Sequence, residues 1–201
     1  MSLDDELSDL LIISLEQAVA APYCGLLLAS AGARVIKVER PEGDFARSYD
    51  NSINGKSAIF AWLNRGKESI SLDLKNKTDK KIFKNMLKKA DVFLSNLTPG
   101  SLEKLELDYK QVKALNPKLI FCEITGYGNS KLAHSKKAYD FLIQAESGLC
   151  SVTGTEKYPS KVGISITDLS TGLTAYSAIL RGIIQRSKTK KGISISISMF
   201  D

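Results

Sequence analysis

Short apolar runs alternate along the chain with stretches whose apolar residues recur at helical spacing. This alternation predicts a series of strand–helix units. Residues 10–15 are apolar but for one serine and read as a short buried strand. A helix over about 22–31 follows, with Pro22 in its first turn and Gly32 as its stop. Residues 33–39 form the next strand, so the first forty residues read as a βαβ unit, which implies a parallel sheet. A turn at 41–44 leads into 45–68, which reads as irregular, with Phe60 and Trp62 packed inward. Residues 69–74 alternate with period two, as a strand does.

A helix capped by Thr78 or Asp79 runs to Lys89 and places Ile82, Phe83, Met86 and Leu87 on one face. Strands at 91–95 and 118–124 flank one or two short helices within 101–115, which Asn116 and Pro117 stop. Helices at 139–151 and 169–187 follow. The basic turn 188–192 opens a last strand over 193–199, whose strict alternation gives one apolar and one polar face. No internal repeat or low-complexity linker interrupts the series. The expected fold is one α/β domain: an open, mostly parallel sheet flanked by helices, Rossmann-like in plan.

Composition narrows the partners. The chain has 201 residues, 43% hydrophobic and 25% charged, enough for a globular core. Its net charge of +6 favours anions: nucleic acid, acidic lipid or a phosphate-bearing small molecule. The lysines are scattered and no aromatic residues interleave with them, so no nucleic-acid partner is expected. No apolar run approaches the ~18 residues of a membrane span. Met1 is followed by the acidic Asp4, Asp5 and Glu6 rather than a basic leader, and a cytoplasmic location is expected. Cys24, Cys122 and Cys150 are odd in number, lack CxxC spacing and lie in apolar stretches, so they read as reduced core residues. The chain ends at Asp201, two residues past the last predicted strand, which reads as a fragment of a longer domain.

Several chemistries are excluded by their missing parts. The first βαβ unit has Glu39 where a ribose-binding acid would sit. Its turn, however, carries Ala20, Ala21 and Pro22 in place of the glycines that a pyrophosphate needs. There is no phosphate-binding GxxxxGK[ST] loop. His134 is the single histidine and sits in a polar loop, so it builds neither a zinc site nor a Ser-His-Asp triad. Lys136 and Lys137, just ahead of Tyr139 and Asp140, make an anion site at a predicted helix start. The sharpest candidate is Asp168, where an apolar run ends and a helix begins. A carboxylate there is a helix N-cap, a nucleophile at a positive helix end, or both. The helix end is expected to keep it ionised near neutral pH.

Several segments together resemble the family III CoA-transferases, the CaiB/BaiF family. They are Ala31-Gly-Ala-Arg-Val-Ile-Lys-Val-Glu-Arg-Pro-Glu-Gly-Asp44, Asn64-Arg-Gly-Lys67 with Leu72-Asp-Leu-Lys75, and Asp91-Val-Phe-Leu-Ser-Asn-Leu-Thr-Pro-Gly100. Gly126-Tyr-Gly128, Ala138-Tyr-Asp140, Gln144-Ala-Glu-Ser-Gly148, Val152-Thr-Gly154 and the Asp168 segment complete the set. Their order and spacing, over about residues 10–201, are more specific than any one of them. The resemblance implies an enzyme that moves CoA from an acyl-CoA to a free carboxylic acid. In it the aspartate corresponding to Asp168 forms first a mixed anhydride and then an aspartyl-CoA thioester. Thioester is exchanged for thioester, so no metal, ATP or permanently bound cofactor is implied, only CoA and acyl-CoA as substrates.

By the same resemblance CoA lies along Val19, Ala20, Arg40, Leu72, Asp73, Leu74, Lys75, Asn96, Leu97, Thr98, Lys104, Lys136, Lys137, Ala138 and Tyr139. Arg40, Lys75, Lys104 and Lys137 are the cations to aim at its phosphates. Some family transferases carry a glutamine where this chain has Val19, and Gln17 stands two residues away. Lys104 stands where an arginine is common, a point charge for a bidentate fork. Related racemases place a histidine where Tyr139 stands, and a phenol with an ordinary pKa near ~10 is a poor base for an α-proton. Transferase chemistry is therefore expected over a 2-methylacyl-CoA racemase, and an inactive CoA-binding remnant is the non-enzymatic alternative. Family members are roughly twice this length and form interlocked homodimers. Residues 1–201 then correspond to the N-terminal part of the large CoA-binding domain, without the small domain and the C-terminal return segment.

Overall fold

Six strands form one parallel sheet in the computed structural model of the chain, which describes residues 5–128 and 136–201. The first half runs β1 (Leu11–Leu15), α1 (Ala20–Ser30), β2 (Arg34–Glu39), a 3-10 turn (Phe45–Ser48), α2 (Ala58–Asn64), β3 (Glu68–Ser71), α3 (Lys77–Leu87) and β4 (Val92–Ser95). The second half runs α4 (Ser101–Lys104), α5 (Tyr109–Leu115), β5 (Ile120–Thr125), α6 (Asp140–Glu146), α7 (Leu149–Val152), β6 (Gly154–Thr155), β7 (Tyr158–Pro159), α8 (Ile166–Thr189) and β8 (Ser194–Ser198). The spatial order is β3-β2-β1-β4-β5-β8, and every neighbouring pair is parallel. The chain works outward from β1 to β2 and β3, then returns to the other side of β1 for β4. That reversal opens a crevice at the carboxyl ends of β1 and β4. Strands β6 and β7 form a separate small antiparallel pair.

The strands read as nearly continuous apolar runs because helices cover both faces. Ile12, Leu94, Ile120 and Cys122 point to the layer of α1 and α8, where Leu28, Ala175 and Ile179 meet them. Ile13, Phe93 and Phe121 point the other way, onto Phe83, Leu87 and Val112 of α3 and α5. In β8 the alternation does what it predicts: Ile195 and Ile197 pack on the α1/α8 side.

The structure departs from the sequence expectation in several places. Residues 45–68 are not irregular; they hold the 3-10 turn, capped by Asp44, and α2, capped by Ser57. Trp62 is not packed inward but stays 42% exposed, against Tyr23 at a ring separation of 5.9 Å. Helix α3 is capped by Asn76, whose Oδ1 accepts from the amides of Thr78 and Asp79, so neither of those is the cap. Ile82 faces solvent while Phe83 and Leu87 are buried. The helix expected over 139–151 is broken into α6 and α7 at Gly148, which takes φ +83°, a conformation open to glycine. Helix α8 begins at Ile166, ahead of the expected start, which places Asp168 inside its first turn. Cys24 and Cys122 are buried, Cys150 is half-buried, and all three are free. His134 lies outside the described residues.

Candidate active site

Two cavities open side by side at the carboxyl ends of the strands. The first, about 680 Å³, has Arg40, Leu72, Asp73, Leu74, Lys75, Leu97 and Lys104 on its walls. The second, about 300 Å³, has Ala20, Asn96, Leu97, Thr98, Lys136, Lys137, Ala138, Tyr139 and Asp168. Gln17 and Leu97 line both. Of the residues expected at the site, Val19 alone lies off these walls: it is 7% exposed, at the cap position of α1. Gln17, two residues earlier, lines both cavities where Val19 lines neither.

The backbone explains that exchange. Ala18 takes φ +63°, a left-handed conformation that costs an alanine about 1–2 kcal/mol. It is held from two sides. Asn96, just past β4, accepts from the Gln17 amide at 2.9 Å and donates to the Gln17 carbonyl at 2.8 Å. The Asp44 carboxylate accepts from the Ala18 amide at 3.2 Å. The turn sends Val19 into the core and leaves the Gln17 side chain at the cavity junction.

Beneath this turn lies a buried charge cluster. Lys37 donates to Asp44 at 2.7 Å, and Lys67 donates to Glu16 at 2.6 Å. Lys37 also stands 3.7 Å from Glu16, and both lysines reach Asn64 Oδ1. A side chain at Gly25 would meet the Lys67 ammonium at 2.9 Å, so that glycine makes room for the pair. Glu39, the would-be ribose acid, is bound by Arg47, Ser69 and the Asp44 amide. Burial pushes its carboxyl up, but those donors more than offset it and hold the pKa at about 2.

The first cavity carries both signs: Glu42 and Asp73 share its walls with Arg40, Lys75 and Lys104, and Glu42 stands 4.0 Å from Arg40. Lys75 and Lys104 are exposed there, and Arg40 is braced by the Gly43 carbonyl at 3.0 Å. Across the second cavity, Lys136 pairs with Glu146 at 3.0 Å and lies over the Tyr127 ring. Tyr139 is 58% exposed on the cavity wall.

Asp168 does not cap its own helix. Asp140, 28 residues earlier, does so: its Oδ1 accepts from the Thr167 amide at 2.8 Å, the Thr167 hydroxyl at 2.6 Å and the Asp168 amide at 3.2 Å. Its other oxygen accepts from Gln144 Nε2 at 2.6 Å. Burial first, and then the Asp140 charge, push the Asp168 carboxyl up to about 7. The helix end expected to keep Asp168 ionised near neutral pH is used by Asp140 instead, and burial acts against the Asp168 charge. Tyr49, nearby, is pushed up to about 12 by burial and by the Asp44, Asp168 and Tyr139 charges.

Neither Asp44 nor Asp140 stands out as a site residue from the sequence pattern, and Gln17 enters only as a neighbour of Val19. The signal that could have found the two acids is their place in the family-like segments, Asp44 closing one and Asp140 following Tyr139 in another. Among the described residues no group of three or more metal-ligating side chains is gathered, and no helix is long and apolar enough to cross a membrane.

Known proteins share this sequence and this fold. The model of CoA-transferase family III matches residues 7–201. Succinyl-CoA:glutarate CoA-transferase of Mus musculus is 39% identical over 191 residues, 94% of this chain and 44% of that protein. Acetyl-CoA:oxalate CoA-transferase of Acetobacter aceti is 39% identical over 196 residues, 96% of this chain and 50% of that one. A CaiB/BaiF family protein from Brucella suis superposes with a TM-score of 0.94 at 37% identity, covering 98% of this chain and 54% of the other. The chain spans about half the length of the curated relatives it matches.

Proposed function

The chain belongs to CoA-transferase family III, and on that premise we propose that it takes part in moving CoA from an acyl-CoA to a small carboxylic acid, with Asp168 as the nucleophile. One observation carries the reading. Asp168 lines a cavity that shares Gln17 and Leu97 with a larger one, on whose walls Arg40, Lys75 and Lys104 stand. A long ligand with phosphates at one end and a reactive thioester at the other fits that arrangement.

In the proposed reaction the ionised Asp168 attacks the acyl carbonyl, and the C–S bond breaks to release CoA thiolate. The thiolate attacks the aspartyl carbonyl of the mixed anhydride and expels the donor acid as carboxylate. The acceptor carboxylate then attacks the aspartyl-CoA thioester, and the same two steps run in reverse. Each stage exchanges one activated carbonyl for another, so no energy source is consumed. A carboxyl whose pKa is raised to about 7 by burial and by Asp140 is the stronger nucleophile once ionised.

Gln17 is the residue best placed to hold the thioester at the junction. Arg40, Lys75 and Lys104 receive the phosphates, while Lys137, expected to join them, lines the Asp168 cavity, where Lys136 to Tyr139 wall the pantetheine end. The relatives named above are transferases, which leaves the racemase alternative without support. The free cysteines suit a reducing compartment, and we place the protein in the cytoplasm, with a second copy interlocked in the whole protein.

The test is to trap the covalent intermediate. The chain is incubated with acyl-CoA and reduced with borohydride, which attacks a thioester but not a free carboxylate. Mass spectrometry of the peptide holding residue 168 should show homoserine there. An unmodified Asp168, with modification elsewhere, would remove it from the nucleophile role.

A further inference from the structure

An aspartate in the first turn of a helix has an easy alternative to reacting. Its carboxylate can fold back onto the unpaired amides of that turn, gaining hydrogen bonds and the favourable end of the helix dipole. A carboxylate so engaged is a poor nucleophile, because each bond must be broken as the attack proceeds. In this chain the Asp168 carboxylate accepts no hydrogen bond from any described residue, and no donor opposes the burial that raises its pKa. The amides of Thr167 and Asp168 that it would have used are both taken by Asp140 Oδ1.

We propose that Asp140 is a positioning residue for Asp168: it supplies the cap of α8 from outside and so keeps the Asp168 carboxylate unengaged in the cavity. The inference rests on the reading of Asp168 as nucleophile for its purpose, but not for its geometry.

Asp140 is itself fixed. Gln144 is fully buried on α6; its amide nitrogen donates to Asp140 Oδ2 at 2.6 Å, and its amide oxygen accepts from the Val162 amide at 2.8 Å. One glutamine therefore holds both the capping carboxylate and the segment that leads into α8. The Thr167 hydroxyl adds a 2.6 Å bond to the same Asp140 oxygen. These contacts tie α6 to α8 at the point where the reactive side chain leaves the helix. The other charged or titratable groups that share the cavity with Asp168 are Tyr49, Tyr127, Tyr139, Lys136 and Lys137. Of the two lysines, Lys136 is already paired with Glu146 at 3.0 Å.

The experiment reads the Asp168 titration by carbon NMR on chain labelled at aspartate Cγ, with Asp168→Asn assigning the resonance. Two variants are compared with the parent. Asp140→Asn removes the charge but sets an amide against Gln144. The double change Asp140→Asn with Gln144→Glu restores a donor–acceptor pair there and moves the charge away from α8. In both, the Asp168 midpoint should fall by about one pH unit or more as the like charge is withdrawn, although the new amide oxygen at position 140 can still accept from the Thr167 and Asp168 amides. The double variant should keep a cooperative melt. An Asp168 midpoint unchanged in the folded double variant overturns the proposal, and so does a parent midpoint in the ordinary range near ~4. The titration does not depend on catalysis. A midpoint that moves while the thioester trap stays empty supports the positioning role and defeats the proposed reaction instead.

Discussion

The Lys37 ammonium stands 2.7 Å from the Asp44 carboxylate, with the two side chains 1% and 0% exposed. Glu16 and Lys67 continue the cluster, so two positive and two negative groups share one dry space under the Gln17–Ala18 turn. Breaking such a pair by removing one partner strands the other charge, at a cost of about 3–5 kcal/mol. Lys37→Met should therefore lower the urea midpoint sharply. Because Asp44 also holds the Ala18 amide, the damage should reach the site. A double-mutant cycle with Asp44→Asn checks this: the pair should cost clearly less than the sum of the two single changes. Simple additivity would mean that the two groups do not act together.

Asp168 should make the protein less stable as the pH rises. Its pKa in the fold is about 7, above its ordinary value of 3.8. Between those values the folded state holds a proton that the unfolded state has lost. Stability from this group is therefore whole below about pH 4 and gone above about pH 7. Asp168→Asn, neutral throughout, should melt near the parent at pH 4 and a few degrees above it at pH 8. Glu39 works in the opposite sense: with its pKa held at about 2, its contribution is present above the unfolded value and is lost as acid protonates it. Parallel melting curves for the parent and the Asp168→Asn variant across pH 5–8 would contradict the raised value.

The same ionisation sets activity. The attacking form is the carboxylate, so the rate of thioester formation on Asp168 should rise through about pH 7 and level off above it. Single-turnover mixing with acyl-CoA at a series of pH values measures this directly. A rate already flat from pH 5 upward would mean that Asp168 is ionised throughout.

Gly172 sets how closely α8 approaches α1. A methyl group there would meet the Ala20 carbonyl oxygen at 2.6 Å and the Tyr23 side chain at 3.0 Å. The first contact is with backbone and cannot be relieved by turning a side chain. Gly172→Ala should cost about 1–3 kcal/mol despite alanine's better helix propensity. It should also weaken CoA binding, because Ala20 and Asp168 both line the second cavity. A variant as stable as the parent would show that the helices slide apart easily.

Much of the architecture is legible in the sequence because each element is encoded locally. The apolar runs at Leu11–Leu15, Val92–Ser95 and Ile120–Thr125 are strands buried on both faces, and the helices between them force parallel crossovers. The crevice follows from that order alone. What could not be read were relations across long separations. Asp140 caps a helix 27 residues downstream at Thr167, so α8 starts ahead of the point suggested by its own residues. Gln17 reaches the cavities only because Ala18 adopts a left-handed turn, which no property of alanine predicts and which Asp44 and Asn96 enforce. Trp62 reads as core from its apolarity alone, yet it lies on the outward side of α2.

The lysines of the first cavity should show which end of the ligand they meet. Lys75 and Lys104 sit on the first cavity and are exposed, so each can turn towards a phosphate at little cost. An exposed cation contributes modestly, and its effect falls as salt screens it. Lys104→Glu replaces attraction by repulsion and should weaken CoA binding about tenfold, or ~1.4 kcal/mol. Lys188→Glu, at the far end of α8, changes the net charge equally and should have little effect. Thermal melts with CoA and with dephospho-CoA separate the contributions, since a ligand that binds the native state raises the midpoint by mass action. If Lys104 meets the 3′-phosphate, its variant should reduce the shift by CoA and leave that by dephospho-CoA almost intact. Equal losses for both ligands would place it at the pyrophosphate. Equal losses in the Lys104 and Lys188 variants would reduce the rim to a general field of positive charge.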